Sequence, residues 1–282
     1  MSGAAVHGAE VVCAGLVHVY RAAGVDTAAL RGVDLTVAPG QQLALLGPSG
    51  SGKSTLLTLL SGIRQPSAGK ILLDGTDIAR LPDRQLRAYR AATVGTLLQG
   101  AAGNLLDYAT ALDNVRHAQR ARSRRDAARP AAALLDTVGV SGRAQSRPVR
   151  TLSPGQQQAT AAAVALANNP RLLVADEPTS QLDPAGRDAL LTALLDVLSQ
   201  TGTTVIVVTH DSEVAARLHR TVHLRDGRVG AEEVARERFA VLGADYAVQL
   251  PEHLVADWPP GSRLRVTRGG PDELRITRQD QP

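Results

Sequence analysis

The chain has 282 residues, 44% of them hydrophobic, a formal charge of +4 and one cysteine. That is enough for one large α/β domain with a small appendage, and it excludes a disulfide-stapled scaffold. No apolar run approaches the ~18 residues of a membrane-spanning helix and no basic-then-apolar leader pattern is present, so the chain is expected to be soluble. Aromatic residues make up only 2%, which leaves few platforms for stacking bases, so the basic balance alone does not point to nucleic acid.

Cys13 lies in an apolar stretch near the N-terminus and reads as a small buried side chain. Further on, "QLALLG" reads as a short buried strand and "STLLTLLSGI" keeps apolar residues at helical spacing up to Gly62. Between them Gly47, Pro48, Ser49, Gly50, Ser51, Gly52, Lys53, Ser54 and Thr55 follow the spacing G-x-x-x-x-G-K-[ST]. Glycines let main-chain N–H groups approach a ligand, and a helix N-terminus favours anions. Lys53 is then placed to reach β- and γ-phosphates and Ser54 to ligate Mg²⁺. A tight turn with chance glycines is the alternative, but it needs neither the strand before nor the helix after.

Short apolar runs then alternate with helical patterns: "KILLDGTDI", "TVGTLLQ", "RLLVADEP", "TTVIVVTHD" and "RTVHLRDGRV". The alternation predicts an α/β fold with a parallel sheet covered on both faces. It lapses between Gln99 and Ala167 into Ala- and Arg-rich helical sequence, an inserted helical subdomain. The basic run from Arg116 to Arg129 reads as a solvated helix face, with apposition to anionic headgroups as a second reading. In "RLLVADEPTS" a buried strand ends in Asp176 and Glu177; with a phosphate loop upstream, Asp176 can hold the Mg²⁺ shell and Glu177 can act as general base on a water. A surface acid pair after a strand is the plainer alternative. His210 emerges at the end of "VIVVTHD", at the sheet edge where ligands bind.

On these residues the chain closely resembles the ABC transporter ATPase family over roughly Val11 to Val229, and the most specific motif is "LSPGQ", Leu152 to Gln156. The resemblance implies a P-loop cassette with a RecA-like core. Two cassettes close head to tail around ATP and Mg²⁺, and Ser153, Gly155 and Gln156 of one chain face the γ-phosphate held by the other. It implies that Tyr20 stacks on adenine, that Gln99 meets Mg²⁺ and senses the γ-phosphate, that Asp183 communicates across the dimer, and that His210 contacts the γ-phosphate. Ser153 also reads on its own as the N-cap of a helix opened by Pro154. The wording "AALRGVDLTVAPGQQLALLGPSGSGKSTLLTLLSGIRQPSAG" and "NLLDYATALDNV" is most similar to the lipoprotein-releasing and macrolide-exporter group, whose cassettes pair with separately encoded permeases. The expected setting is therefore the cytoplasmic face of a membrane, with a second ATPase subunit and a permease as partners and no nucleic acid.

The chain departs from the family pattern in four places. Pro154 stands where glycine is usual and removes an N–H donor; Ala159 and Val164 stand where arginines are usual; Gln181 replaces a small residue. Two other function classes stay open: a soluble ABC ATPase acting on nucleic acid or ribosomes, and a regulatory cassette with weak hydrolysis. The expected organisation is a RecA-like core over 1–98 and 168–228 with an N-terminal β region, the helical subdomain over 99–167, and a small β-rich module over 229–282. In that module "GAEEVARERFAVL" reads as a helix, "YAVQLP" as a strand and "SRLRVTRGGPDELRITR" as a hairpin. The stretch "LPEHLVADWPPGSRLRV" is similar to the AbrB-like swapped-hairpin family, in which two chains interleave, and packing of the tail on its own cassette is the alternative.

Overall fold

A computed structural model describes residues 7–22, 25–121, 129–234, 237–243, 246–250, 252–259 and 261–279. The basic run of the helical insert therefore lies partly outside the described residues.

Two sheets organise the cassette. The first has the order β2-β1-β4-β5 and is antiparallel, from β1 (Val11–Ala22), β2 (Val25–Val37), β4 (Ala68–Leu73) and β5 (Thr76–Asp77). "KILLDGTDI" belongs here, so it is not one of the expected parallel strands. The hairpin Asp74–Gly75, both at positive φ, turns it back on itself before a helical crossover can form. The second sheet has the order β11-β10-β9-β3-β8-β7-β6, with β10 (Arg228–Val234) and β11 (Glu237–Ala240) at its outer end. Its parallel part runs through β3 (Gln42–Leu46), β6 (Val94–Leu97), β7 (Leu172–Asp176), β8 (Thr204–Val208) and β9 (Arg220–Arg225). All residues of β7 and β8 are buried, which is why both read as unbroken apolar runs: helices or the other sheet cover each face.

The helices α1 (Lys53–Leu60) and α2 (Asp83–Thr93) bear on one layer, where Leu56, Leu59 and Leu60 meet Leu43, Leu45 and Val174 in one core cluster. The insert supplies α3 (Ala111–Arg120), α4 (Ala131–Thr137) and α5 (Pro154–Leu166), whose Val115, Leu134 and Ala162 join α6 (Pro184–Thr201) and the sheet's other face in a second cluster. The short α7 (Ser212–Ala215) follows β8. Cys13 is buried in β1, and burial, with Asp34 adding to it, pushes its thiol up to about 12, so it is an inert packing group.

The tail differs from its sequence reading in two elements. The stretch expected as a helix is β10 (Arg228–Val234) and β11 (Glu237–Ala240), antiparallel to β9 and to each other. The free edge of β9 offers a row of N–H and C=O groups, and pairing with it outweighs the helix propensity of Ala, Glu and Arg. The large sheet thus runs past residue 229, where the separate module was expected to begin. "YAVQLP" contributes only the bridge Leu242–Val248. Beyond the short α8 (Glu252–Val255), β12 (Arg263–Gly270) and β13 (Glu273–Gln279) form the hairpin read from the sequence.

Candidate functional site

The site grows from the end of β3. Gly52, the N-cap of α1, has φ 102°, and a Cβ there would lie 2.5 Å from the Ala29 carbonyl oxygen. A Cβ on Gly47, at φ 155°, would collide with the Leu224 carbonyl. Both positions therefore admit only glycine, and the loop is pinned between β2 and β9. Gly50, by contrast, has φ 78° and open space around it, so the crest of the loop is bare backbone facing a cavity.

That cavity, of about 470 Å³, is lined by Gly47, Ser49, Gly50, Gly52, Lys53, Ser54 and Thr55 of the loop together with Tyr20, Gln99, Asp176, Glu177 and His210. Three strand ends, β6, β7 and β8, bring Gln99, the acid pair and His210 to the same edge as the loop. Lys53 Nζ donates to the carbonyls of Gly47 and Pro48, both at 2.8 Å. Its partial burial holds its pKa below the usual lysine value, while the Glu177 and Asp176 charges push the other way. Pro48 takes part through its carbonyl. Ser51 is buried, and its hydroxyl has no hydrogen-bond partner among the described residues.

Asp176 is 8% exposed. Burial raises its pKa, and the Ser54 hydroxyl and Lys53 oppose that rise by stabilising the carboxylate. Ser54, Gln99 and Asp176 are all oxygen donors beside one another on the cavity wall, the donor chemistry that suits Mg²⁺. Glu177 sits at φ 46°, an uncommon conformation for a glutamate, fixed by its N–H donating to the Val208 carbonyl at 2.8 Å. The turn aims its carboxylate at His210, with Oε1 2.6 Å from Nδ1, and the Thr209 hydroxyl donates to Oε2 at 3.4 Å. Tyr20 lines the cavity with its hydroxyl 3.1 Å from Thr55 Oγ1 and the Arg64 guanidinium 5.4 Å from its ring centre.

The remaining sequence-derived residues lie elsewhere. Ser153 is the N-cap of α5: its hydroxyl accepts from Gln156 N–H, and Gln156 Oε1 accepts from Ser153 N–H, both at 3.2 Å. This reciprocal cap occupies the Gln156 side chain but leaves the Ser153 O–H hydrogen and the Gly155 amide free to point outward. Asp183 caps α6, accepting from Gly186 N–H at 3.3 Å. None of Ser153, Gly155, Gln156 and Asp183 lines the cavity of its own chain. Ala159 is buried and Val164 packs against the core, so neither supplies a charge. Sequence reading missed Thr209, which supports Glu177, and Gln158, whose buried amide donates to the Pro178 carbonyl at 2.8 Å and ties α5 to the turn after Glu177. The polar step just before His210 was the available signal for Thr209.

A strand, a glycine-rich loop and a helix N-terminus, faced by an acid pair and a histidine from neighbouring strand ends, define a P-loop ATP-binding cassette. Residues 30–180 match the ABC transporter family, and the chain belongs to that family. It is 41% identical to the lipoprotein-releasing system ATP-binding protein LolD 2 of Caulobacter vibrioides, over 78% of this chain and 96% of that protein. It is equally 41% identical to the macrolide export ATP-binding/permease protein MacB of Rhodopirellula baltica, over 79% of this chain but only 32% of that one. The chain thus spans about a third of the exporter's length. Among solved structures, the dimeric post-hydrolysis state of the ATP-binding cassette MJ0796 bound to ADP and Pi matches with a TM-score of 0.75 and 33% identity, covering 80% of this chain and 99% of that one.

Proposed function

We propose that this chain is the ATP-hydrolysing subunit of a transporter: two copies close around two ATP molecules and drive a separately encoded membrane permease from its cytoplasmic face. The observation that carries the reading is the single cavity in which a bare phosphate loop, Lys53, Asp176, Glu177 and His210 converge. In it the loop amides and Lys53 hold the β- and γ-phosphates, and Tyr20, at the cavity wall, offers its ring to adenine. Ser54, Gln99 and Asp176 would hold Mg²⁺, which when bound neutralises charge on the phosphate oxygens. Glu177 takes a proton from the attacking water, and His210 steadies the carboxylate that does so. The exposed Ser153 hydroxyl and Gly155 amide serve the partner's γ-phosphate, a role that the Pro154 substitution leaves open because Pro at the first helical position removes an N–H that the helix does not use.

The kinship with LolD and MacB favours this reading over action on nucleic acid or ribosomes. Among the described residues no helix is long and apolar enough to cross a membrane; on this reading the permease holds the chain at the membrane. Co-expression with the multi-span protein encoded by a neighbouring gene is expected to move the chain from the supernatant to the membrane fraction. Retention in the supernatant, with salt-sensitive binding to DNA or RNA, would overturn the reading.

A further inference from the structure

The residues that face a partner chain and those that face the water lie on different elements, and one arginine joins them. Asp183 caps α6 on the segment assigned above to contact with the second cassette. One turn later Arg187, whose N–H donates to the Asp183 carbonyl at 2.9 Å, turns its guanidinium onto three carboxylates. Nη1 donates to Asp211 Oδ2 at 2.9 Å, Nη2 to Glu213 Oε2 at 2.5 Å, and Nε lies 3.4 Å from Asp188 Oδ1. The Arg187 side chain is only 22% exposed.

Asp211 follows His210 directly, and its own polar groups are all engaged, its carbonyl accepting from Ala215 N–H. Its Oδ1 accepts from Glu213 N–H at 2.8 Å and caps α7, and its N–H donates to Thr209 Oγ1 at 3.0 Å. The Thr209 hydroxyl in turn donates to Glu177 Oε2. His210, by contrast, has a side chain 74% exposed, with the Glu177 carboxylate as its polar contact. Burial therefore does not place the imidazole; the geometry of the turn does, and Arg187 is what fastens that turn to α6.

We propose that Arg187 is a positioning residue: it locks the His210 turn to the helix capped by Asp183, so that arrival of the second copy at α6 is transmitted to the Glu177–His210 pair. A guanidinium fork spanning Asp211 and Glu213 suits this task because it fixes an angle as well as a distance, which a lysine cannot do. Displacing α6 by a fraction of an ångström drags Asp211, and with it the donor and imidazole on either oxygen of Glu177. The coupling runs through hydrogen bonds between packed elements and needs no movement of the phosphate loop.

The proposal rests on Glu177 and His210 acting as assigned above, and the test separates the two. In the full-length chain Arg187→Ala is expected to lower kcat roughly ten- to hundredfold, the scale on which small misplacements of reacting groups act. ATP affinity and the unfolding temperature should stay close to parental, and Arg187→Lys should restore part of the rate. The imidazole resonance of His210, assigned by its loss in His210→Gln, should shift in Arg187→Ala as the Glu177 contact loosens. Should Arg187→Ala fold poorly, Asp211→Asn keeps the cap of α7 through Oδ1 but puts an amide N–H donor where Oδ2 accepts from Arg187, and the same fall in kcat is expected. A parental kcat in either variant, or an unmoved His210 resonance, overturns the proposal. If Glu177→Gln hydrolyses ATP at the parental rate, it is the base assignment that falls, whatever Arg187 does.

Discussion

Glu177→Gln is the most direct test of the site because the structure says what it removes and what it leaves. The amide is isosteric with the carboxylate, and the backbone at φ 46° costs a glutamine no more than a glutamate. The amide oxygen can still accept from Thr209, so the turn and the cavity should keep their shape. What disappears is the proton acceptor 2.6 Å from His210 Nδ1. General bases contribute about 10²- to 10⁴-fold, which is about 3–5 kcal/mol on the barrier at 1.36 kcal/mol per decade. Nucleotide affinity should hold or tighten, since Lys53 and the loop are untouched and a negative charge near the phosphates is gone. Phosphate release should therefore fall by at least two decades, while size-exclusion chromatography with Mg-ATP shows an accumulated dimer. Hydrolysis at the parental rate would refute the assignment of Glu177, and a loss of rate accompanied by an equal loss of ATP affinity would show that the residue binds rather than reacts.

Lys53→Ala should abolish tight nucleotide binding, read by calorimetry, because a point charge aimed at the phosphates is lost from a loop that Gly47 and Gly52 still hold in place; an unchanged affinity would sink the role. For the same reason ATP affinity should decline as pH rises, since the charged ammonium is the binding form, and the decline should begin below the usual lysine range because burial lowers the pKa of Lys53. The β12–β13 hairpin leaves Leu264, Val266 and Leu274 exposed at 40%, 57% and 71%, and a lone hairpin is only marginally stable, so the tail is expected to hold two chains together without nucleotide. Sedimentation of the full chain against a version ending at Leu250, which retains β10 and β11, should show the heavier species only for the full chain; equal monomeric masses would remove the idea.

The phosphate loop was legible because each of its constraints leaves a residue type behind. Glycine is demanded by collision at Gly47 and Gly52, and lysine by charge, so the pattern survives translation into sequence. Asp176, Glu177 and His210 were legible for a second reason: apolar runs such as β7 and β8 are buried along their whole length, and a polar residue at the end of one has to emerge at the sheet edge. The tail was misread where tertiary pairing overrode local propensity, since nothing in "GAEEVARERF" records that β9 has an open edge beside it. Arg187 was invisible for a similar reason. Its partners Asp211 and Glu213 are 24 and 26 residues away, and an arginine on a helix face is ordinary until the fold brings these two carboxylates to it.

The distribution of the recognised residues also carries an argument about how the protein must work. The loop, the acids and His210 share one cavity, whereas Ser153 and Gly155 lie at the N-terminus of α5 and Asp183 at that of α6, all turned away from it. The N-terminus of α5, capped by the neutral Ser153 and with no acid in its first turn, keeps an anion-seeking N–H at Gly155, whereas that of α6 is already capped by the Asp183 carboxylate. In the proposed dimer a second copy arriving head to tail would supply an anion to α5, namely the γ-phosphate held on its own loop. On that proposal hydrolysis would be a property of the pair: each chain would bring half of two sites, and closure that completes one would complete both. A transport cycle would follow from the proposed pairing, since loss of the γ-phosphate would remove the anion joining the halves and let the two chains, with the proposed permease, move apart.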